Sequence, residues 1–132
     1  MKVLKREIIQ TEDALSAEEF VTSIYKNTKD KRIIVLDKIY PFQDTLNKFP
    51  EPLFVIYYKE SSNHWMVKAI REDPKTFNKR KDFPKSWAGL RDEELQKITG
   101  VGDAVFCHRG LFLAVANSKE GAIKLAQIAV ES

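Results

Sequence analysis

The sequence predicts an α+β domain: a mostly antiparallel sheet of about five strands, packed with helices from its N- and C-terminal ends. Three observations lead there. Short β-branched and aromatic runs recur through the middle of the chain. Two pairs of these runs are separated by short polar turns, as in hairpins. The two ends instead carry apolar residues at helical spacing.

Taken in order, residues 2–27 read mainly as helix. Leu4, Ile8, Thr11 and Leu15 share one stripe, and Phe20, Val21, Ile24 and Tyr25 continue it. Ser16-Ala17-Glu18-Glu19 has the form of a capping box, so one bent helix and two short ones are both open. Residues 28–32 are a polar connector. Residues 33–36 (Ile-Ile-Val-Leu) predict a strand. A short helix is expected from Tyr40-Pro41-Phe42, with Pro41 in its first turn, Leu46 and Phe49 as anchors, and Pro50 and Pro52 as stops. Residues 53–58 (Leu-Phe-Val-Ile-Tyr-Tyr) are apolar on both faces, which predicts a central strand covered on both sides. Residues 59–63 form a turn, and residues 64–70 return as the partner strand. Residues 71–81 show no periodicity and read as a loop. A second hairpin joins residues 104–107 to 111–116, with His108-Arg109-Gly110 at its tip. The last helix spans residues 118–130, with Asn117 as its expected cap and Glu120 three residues on.

A chain of 132 residues fits one domain, and 43% hydrophobic residues can fill its core. No apolar run approaches the ~20 residues a membrane helix needs, so no membrane partner is expected. The first residues lack the apolar stretch of a secretory signal. A single cysteine, Cys107, rules out an internal disulfide and fits a reducing, cytoplasmic setting. The net charge of +3 implies little about partners by itself.

Between the two hairpins lies a stretch that organises the chain, residues 82–95 (Asp-Phe-Pro-Lys-Ser-Trp-Ala-Gly-Leu-Arg-Asp-Glu-Glu-Leu). Pro84 and Gly89 predict a braced turn that presents Trp87 and Arg91. Asp92 is expected to cap the helix that follows, with Glu93 and Glu94 suiting its positive end. This stretch, followed by Ile98-Thr99-Gly100-Val101 and Ala104-Val105-Phe106-Cys107-His108, resembles the C-terminal part of the Myg (melanocyte-proliferating-gene) family. Its members are often labelled metal-dependent protein hydrolases. They are related to the DHH phosphoesterases, and the eukaryotic members are described as exonucleases acting on RNA. The resemblance runs from about residue 31 to residue 130.

The resemblance implies that residues 1–132 form a C-terminal accessory domain that grips substrate. It implies a partner, an N-terminal DHH-like catalytic domain holding divalent manganese or magnesium. Family members are typically longer, so the chain is either a piece of one or a stand-alone accessory chain. No residues here match the family's metal motifs, which lie in that N-terminal domain. Two histidines and one cysteine are few ligands for a transition metal, and adjacent Cys107 and His108 point to opposite faces of a strand. No cofactor and no catalytic residue are therefore expected in this chain, which should lack activity alone.

The binding signal is stronger. Residues 71–86 hold six basic and three acidic residues, an excess equal to the charge of the whole chain. Phe77 and Phe83 interleave with them and Trp87 follows. Cations that meet phosphates and rings that stack on bases suit single-stranded RNA or a nucleotide. The same residues equally describe a solvated loop pinned by its aromatics, and Trp87 is either a platform or a packing residue. Arg91 can fork onto a phosphate or carboxylate, or partner Asp92 or Glu93. In DHH relatives a glycine- and histidine-containing segment of the C-terminal domain helps hold substrate, and His108 and Gly110 look like a reduced version of it. The expected substrate-binding set is thus Arg80, Lys81, Trp87, Arg91, His108 and Gly110. The competing expectation is an interaction or homodimerisation module that docks through its first helix and has no ligand of its own.

Overall fold

The computed structural model describes residues 13–73, 75–76 and 78–132, with the backbone alone for residues 13–16. The expected roles of Leu4, Ile8, Thr11, Phe77 and the Leu15 side chain lie outside the described residues. The elements run α1 (Asp13–Asn27), β1 (Ile33–Val35), α2 (Gln43–Leu46), β2 (Phe54–Lys59), β3 (His64–Ala69), a 3-10 turn (Lys85–Trp87), α3 (Asp92–Thr99), β4 (Ala104–Cys107), β5 (Leu113–Ala116) and α4 (Lys119–Glu131). The strands form one sheet in the order β1-β2-β3-β5-β4. The β1–β2 pair is parallel, and the other three pairs are antiparallel. This is the α+β arrangement the sequence predicts.

Strand β2 explains the layering. Its alternate residues Phe54 and Ile56 point to one face and Val55 and Tyr57 to the other, and all four are buried. On the first face Ala122, Leu125, Ala126 and Ala129 of α4 join Leu95 of α3, Phe83 and Trp87. On the second face Val21 and Tyr25 of α1 meet Phe42, Leu46, Ile34 and Met66. Tyr25 stacks on Phe49 with ring centroids 3.9 Å apart, which anchors the end of the α2 segment. Helices therefore cover both sides of the sheet. No described helix is long and apolar enough to cross a membrane.

Several local expectations shift. Helix α1 runs unbroken through residue 16. Helix α2 starts after Phe42, so Pro41 precedes the helix instead of occupying its first turn. Ser118, not Asn117, caps α4: its Oγ accepts from Gly121 N at 3.0 Å. The backbone N–H of Asn117 is spent on Asp103 O at 3.0 Å, which holds it outside the helix. Asp92 does not cap α3. Arg91 takes the cap position with no side-chain bond, and Asp92 is the first helical residue, at φ 45°. The carboxylates of Asp92, Glu93 and Glu94 still lie in the first turn, where the helix dipole favours them. Strand β5 begins at Leu113, two residues later than expected, because residues 108–111 are used up in a closed turn.

Candidate functional site

The turn at residues 108–111 is held on every side. Leu111 N donates to His108 O at 2.9 Å, and Leu111 O accepts from Phe83 N at 3.1 Å. His108 N donates to Leu113 O at 2.8 Å. Gly110 N donates to the His108 imidazole Nδ1 at 2.8 Å. With Nδ1 as acceptor, the neutral ring carries its proton on Nε2, which leaves that N–H free to donate outward. The imidazole leans on Phe112 at 4.4 Å and meets the Phe106 edge at 6.2 Å. A Cβ at Gly110 would crowd its neighbours, lying 3.1 Å from Phe112 Cδ1 and 3.2 Å from His108 Nδ1.

The free edge of β4 is covered by residues 89–91, which brings Arg91 to the same place. Gly89 N donates to Cys107 O and Cys107 N donates to Leu90 O, both at 3.0 Å. Arg91 forms an isolated bridge with Phe106. Its guanidinium sits over the Phe106 ring, 4.5 Å from the centroid. This contact flattens the fork onto an aromatic face while its N–H edges stay in water. Arg109 is exposed beside it, with Nε 3.8 Å from where a Gly89 Cβ would lie. Lys79 reaches the same turn, donating to Gly110 O at 3.0 Å and pairing with Asp82 at 3.3 Å. Among the described residues, neither Arg91 nor Arg109 has a carboxylate partner, although the acidic first turn of α3 is adjacent in sequence.

Positive backbone angles gather around this edge. Gly89 has φ 73°, Asp92 φ 45° and Leu111 φ 61°. For Leu111 that is a strained conformation, costing on the order of 1–3 kcal/mol. Such strain persists where neighbouring bonds over-determine it, here the hydrogen bonds at both ends of the turn.

The structure thus brings together Arg91, His108 and Gly110. It adds Arg109 and Lys79, which the sequence reading left outside its set. The signal for Arg109 was its place at the hairpin tip, between two residues that were chosen. Arg80 and Lys81 are directed elsewhere. Arg80 Nη1 donates to Pro52 O at 2.8 Å, and its pKa is lowered because the group is partly desolvated. Lys81 Nζ donates to Ser132 O at 2.9 Å. Trp87 is 2% exposed and stacks on Phe83, which in turn packs on Phe54, so its ring is enclosed by the core and offers no surface to a base.

Cys107 faces the core and His108 faces solvent. Burial pushes the Cys107 thiol up to about 12, which keeps it protonated and unreactive as a nucleophile. Among the described residues, no group of three or more His, Cys, Asp and Glu side chains could hold a metal ion.

In this α+β fold the cationic side chains of Arg91, Arg109 and Lys79 gather at the β4 edge. The chain belongs to the MYG1 exonuclease family, whose description is an uncharacterised protein family (UPF0160): the family model matches residues 1–130. A MYG1 protein of Schizosaccharomyces pombe is 28% identical over 124 residues, covering 89% of this chain and 38% of that protein. The human MYG1 exonuclease is 30% identical over 78 residues, covering 59% of this chain and 21% of that protein. A MYG1 protein of Chlamydia muridarum is 43% identical over 63 residues, covering 45% of this chain and 21% of that protein. The chain therefore spans less than two-fifths of the length of these relatives. No solved structure matches it.

Proposed function

We propose that this chain is the substrate-gripping, C-terminal part of a DHH-related exonuclease, acting on RNA or a nucleotide, with the hydrolytic machinery outside these residues. The observation that carries the reading is the pair of exposed guanidinium groups, Arg109 within the His108–Gly110 turn and Arg91 over the Phe106 ring, which have no carboxylate partner among the described residues. Two guanidinium forks and an imidazole N–H are donors of the kind that phosphate oxygens accept from. The strained, multiply bonded turn holds the donors in place before ligand arrives, which reduces the ordering cost on binding. The expected partner is an N-terminal catalytic domain, and divalent manganese or magnesium would be held there. In that arrangement this part would position the strand, and the metal, held in the catalytic domain, would supply the activation of water for hydrolysis.

The test is fluorescence anisotropy with a labelled single-stranded RNA at low salt. R91A/R109A should weaken binding by about a hundredfold or more, since charged hydrogen bonds contribute ~1.5–3 kcal/mol each. R80A/K81A, which removes two equal charges tied to backbone carbonyls, should have a smaller effect. Equal losses in the two variants would show that bulk charge, not this edge, does the holding.

A second reading, an interaction or homodimerisation module, has one observation in its favour. Phe20 and Ile39 are 49% and 62% exposed, and Phe20 stacks on Tyr40, so the α1–α2 side carries an apolar strip. Light scattering separates the two. A stable dimer that ignores RNA favours the module, and a monomer that binds RNA favours the gripping domain.

A further inference from the structure

The sheet face opposite α4 holds a second concave surface that the cationic edge does not explain. An open groove of about 910 Å³ lies between the 39–45 segment and the sheet, lined by Ile39, Tyr40, Phe42, Tyr57, Lys68 and Arg71 among others. Its size falls within the ≈ 300–1,000 Å³ typical of small-molecule sites. Lys68 sits on the sheet floor, half-buried, with its ammonium 5.9 Å from the Phe42 ring centroid. Among the described residues it has no carboxylate partner. The charged neighbour that acts on it is another cation, Arg71, and desolvation and that repulsion both lower the Lys68 pKa. Two acidic side chains also line the groove. Glu18 is paired with Lys48, and Asp44 is exposed on the rim.

The wall that carries Arg71 is braced. Gln43 Nε2 donates to Asn47 Oδ1 at 2.6 Å, and Asn47 Nδ2 donates to Arg71 O at 2.8 Å. These bonds tie the α2 segment to the end of β3. Its floor carries the half-buried Lys68, and its lip carries exposed apolar surface in Ile39 and the half-exposed Tyr40. A negative group at the floor would pair with Lys68, and a flat apolar body would cover the lip.

We propose that this groove binds a small amphiphilic anion, with a phosphate or carboxylate head at Lys68 and a flat apolar body against Ile39 and Tyr40. The site is independent of the cationic edge and does not rest on the nuclease reading. Phenyl phosphate, benzoate and inorganic phosphate are suitable probes, titrated into the 15N-labelled full chain and followed by amide shifts. Phenyl phosphate should shift Phe42, Asp44 and the 68–71 amides and bind at least about tenfold tighter than inorganic phosphate, a difference of ~1.4 kcal/mol. Benzoate separates the head groups: tighter binding than phenyl phosphate assigns the head to a carboxylate, and weaker binding assigns it to a phosphate. Lys68→Met should weaken the preferred probe by about tenfold, the value of one charge-assisted bond, and Lys68→Arg should restore most of it. R91A/R109A should leave this binding unchanged. The proposal is overturned if the shifts fall only at Gly89, Arg109 and Gly110, or if no shifts occur at 10 mM probe (roughly −2.7 kcal/mol). Unchanged affinity in Lys68→Met, or equal affinity for phenyl and inorganic phosphate, would overturn it too.

Discussion

Replacing Trp87 with Ala separates the two roles its sequence context allows. The side chain is 2% exposed, with its ring centroid 5.8 Å from that of Phe83, and Phe83 lies 4.8 Å from Phe54. A buried tryptophan removes ~150–250 Å² from water, and at ~25 cal/mol/Å² this is about 4–6 kcal/mol of transfer free energy. Large-to-small aromatic changes in cores cost about 3–5 kcal/mol once partial collapse is allowed. The unfolding entropy of a 132-residue domain is about 0.28 kcal/mol/K, so Tm should fall by about 11–18 °C. Thermal and urea unfolding followed by near-UV circular dichroism measure this directly. RNA affinity, taken well below the new Tm, should change by less than about threefold, since the ring offers no face to a base. A variant that keeps its Tm but loses RNA binding would refute the packing assignment and return Trp87 to the interface.

Two further expectations concern the core. Gly121→Ala would place a Cβ 2.1 Å from Asp103 Oδ1, so the carboxylate that accepts the Ser118 hydroxyl must move. A loss of about 1–3 kcal/mol is expected despite alanine's better helix propensity, and in an Asp103→Ala background the same change should become neutral or stabilising. A double-mutant cycle by urea melts reads the coupling. The Cys107 thiol, raised by burial to about 12 from 9.0, binds its proton more tightly folded than unfolded. Its contribution to stability is full below pH 9 and is lost as pH rises from 9 towards 12. The stability difference between wild type and Cys107→Ala should shrink across that window, and a constant difference would contradict the burial effect.

What the sequence revealed, and what it did not, follows from how local each signal is. Strand β2 was legible because four successive residues, Phe54 to Tyr57, are apolar, and only a strand covered on both sides buries them all. Both hairpins were legible from short polar turns between apolar runs. Residues 79–81 were not legible in direction. They have no periodicity, and their side chains are aimed by distant acceptors: Gly110 O for Lys79, Pro52 O for Arg80 and Ser132 O for Lys81. An aromatic beside a basic run looks the same in sequence whether it stacks on a base or fills a core. Only the packing of Phe83 and Trp87 under α3 and α4 shows which. The missed caps are smaller failures of the same kind. Asn117 and Ser118 are both good caps, and a backbone bond to Asp103 chooses between them.

The most direct test of the gripping edge is the salt dependence of RNA binding by the full chain. For a single strand, the slope of log affinity against log salt is about −0.7 per phosphate neutralised. R91A/R109A should therefore flatten the slope by about 1.4 relative to wild type, and R80A/K81A should flatten it by less. An unchanged slope in R91A/R109A, or no RNA binding by the wild-type chain at low salt, would contradict the account.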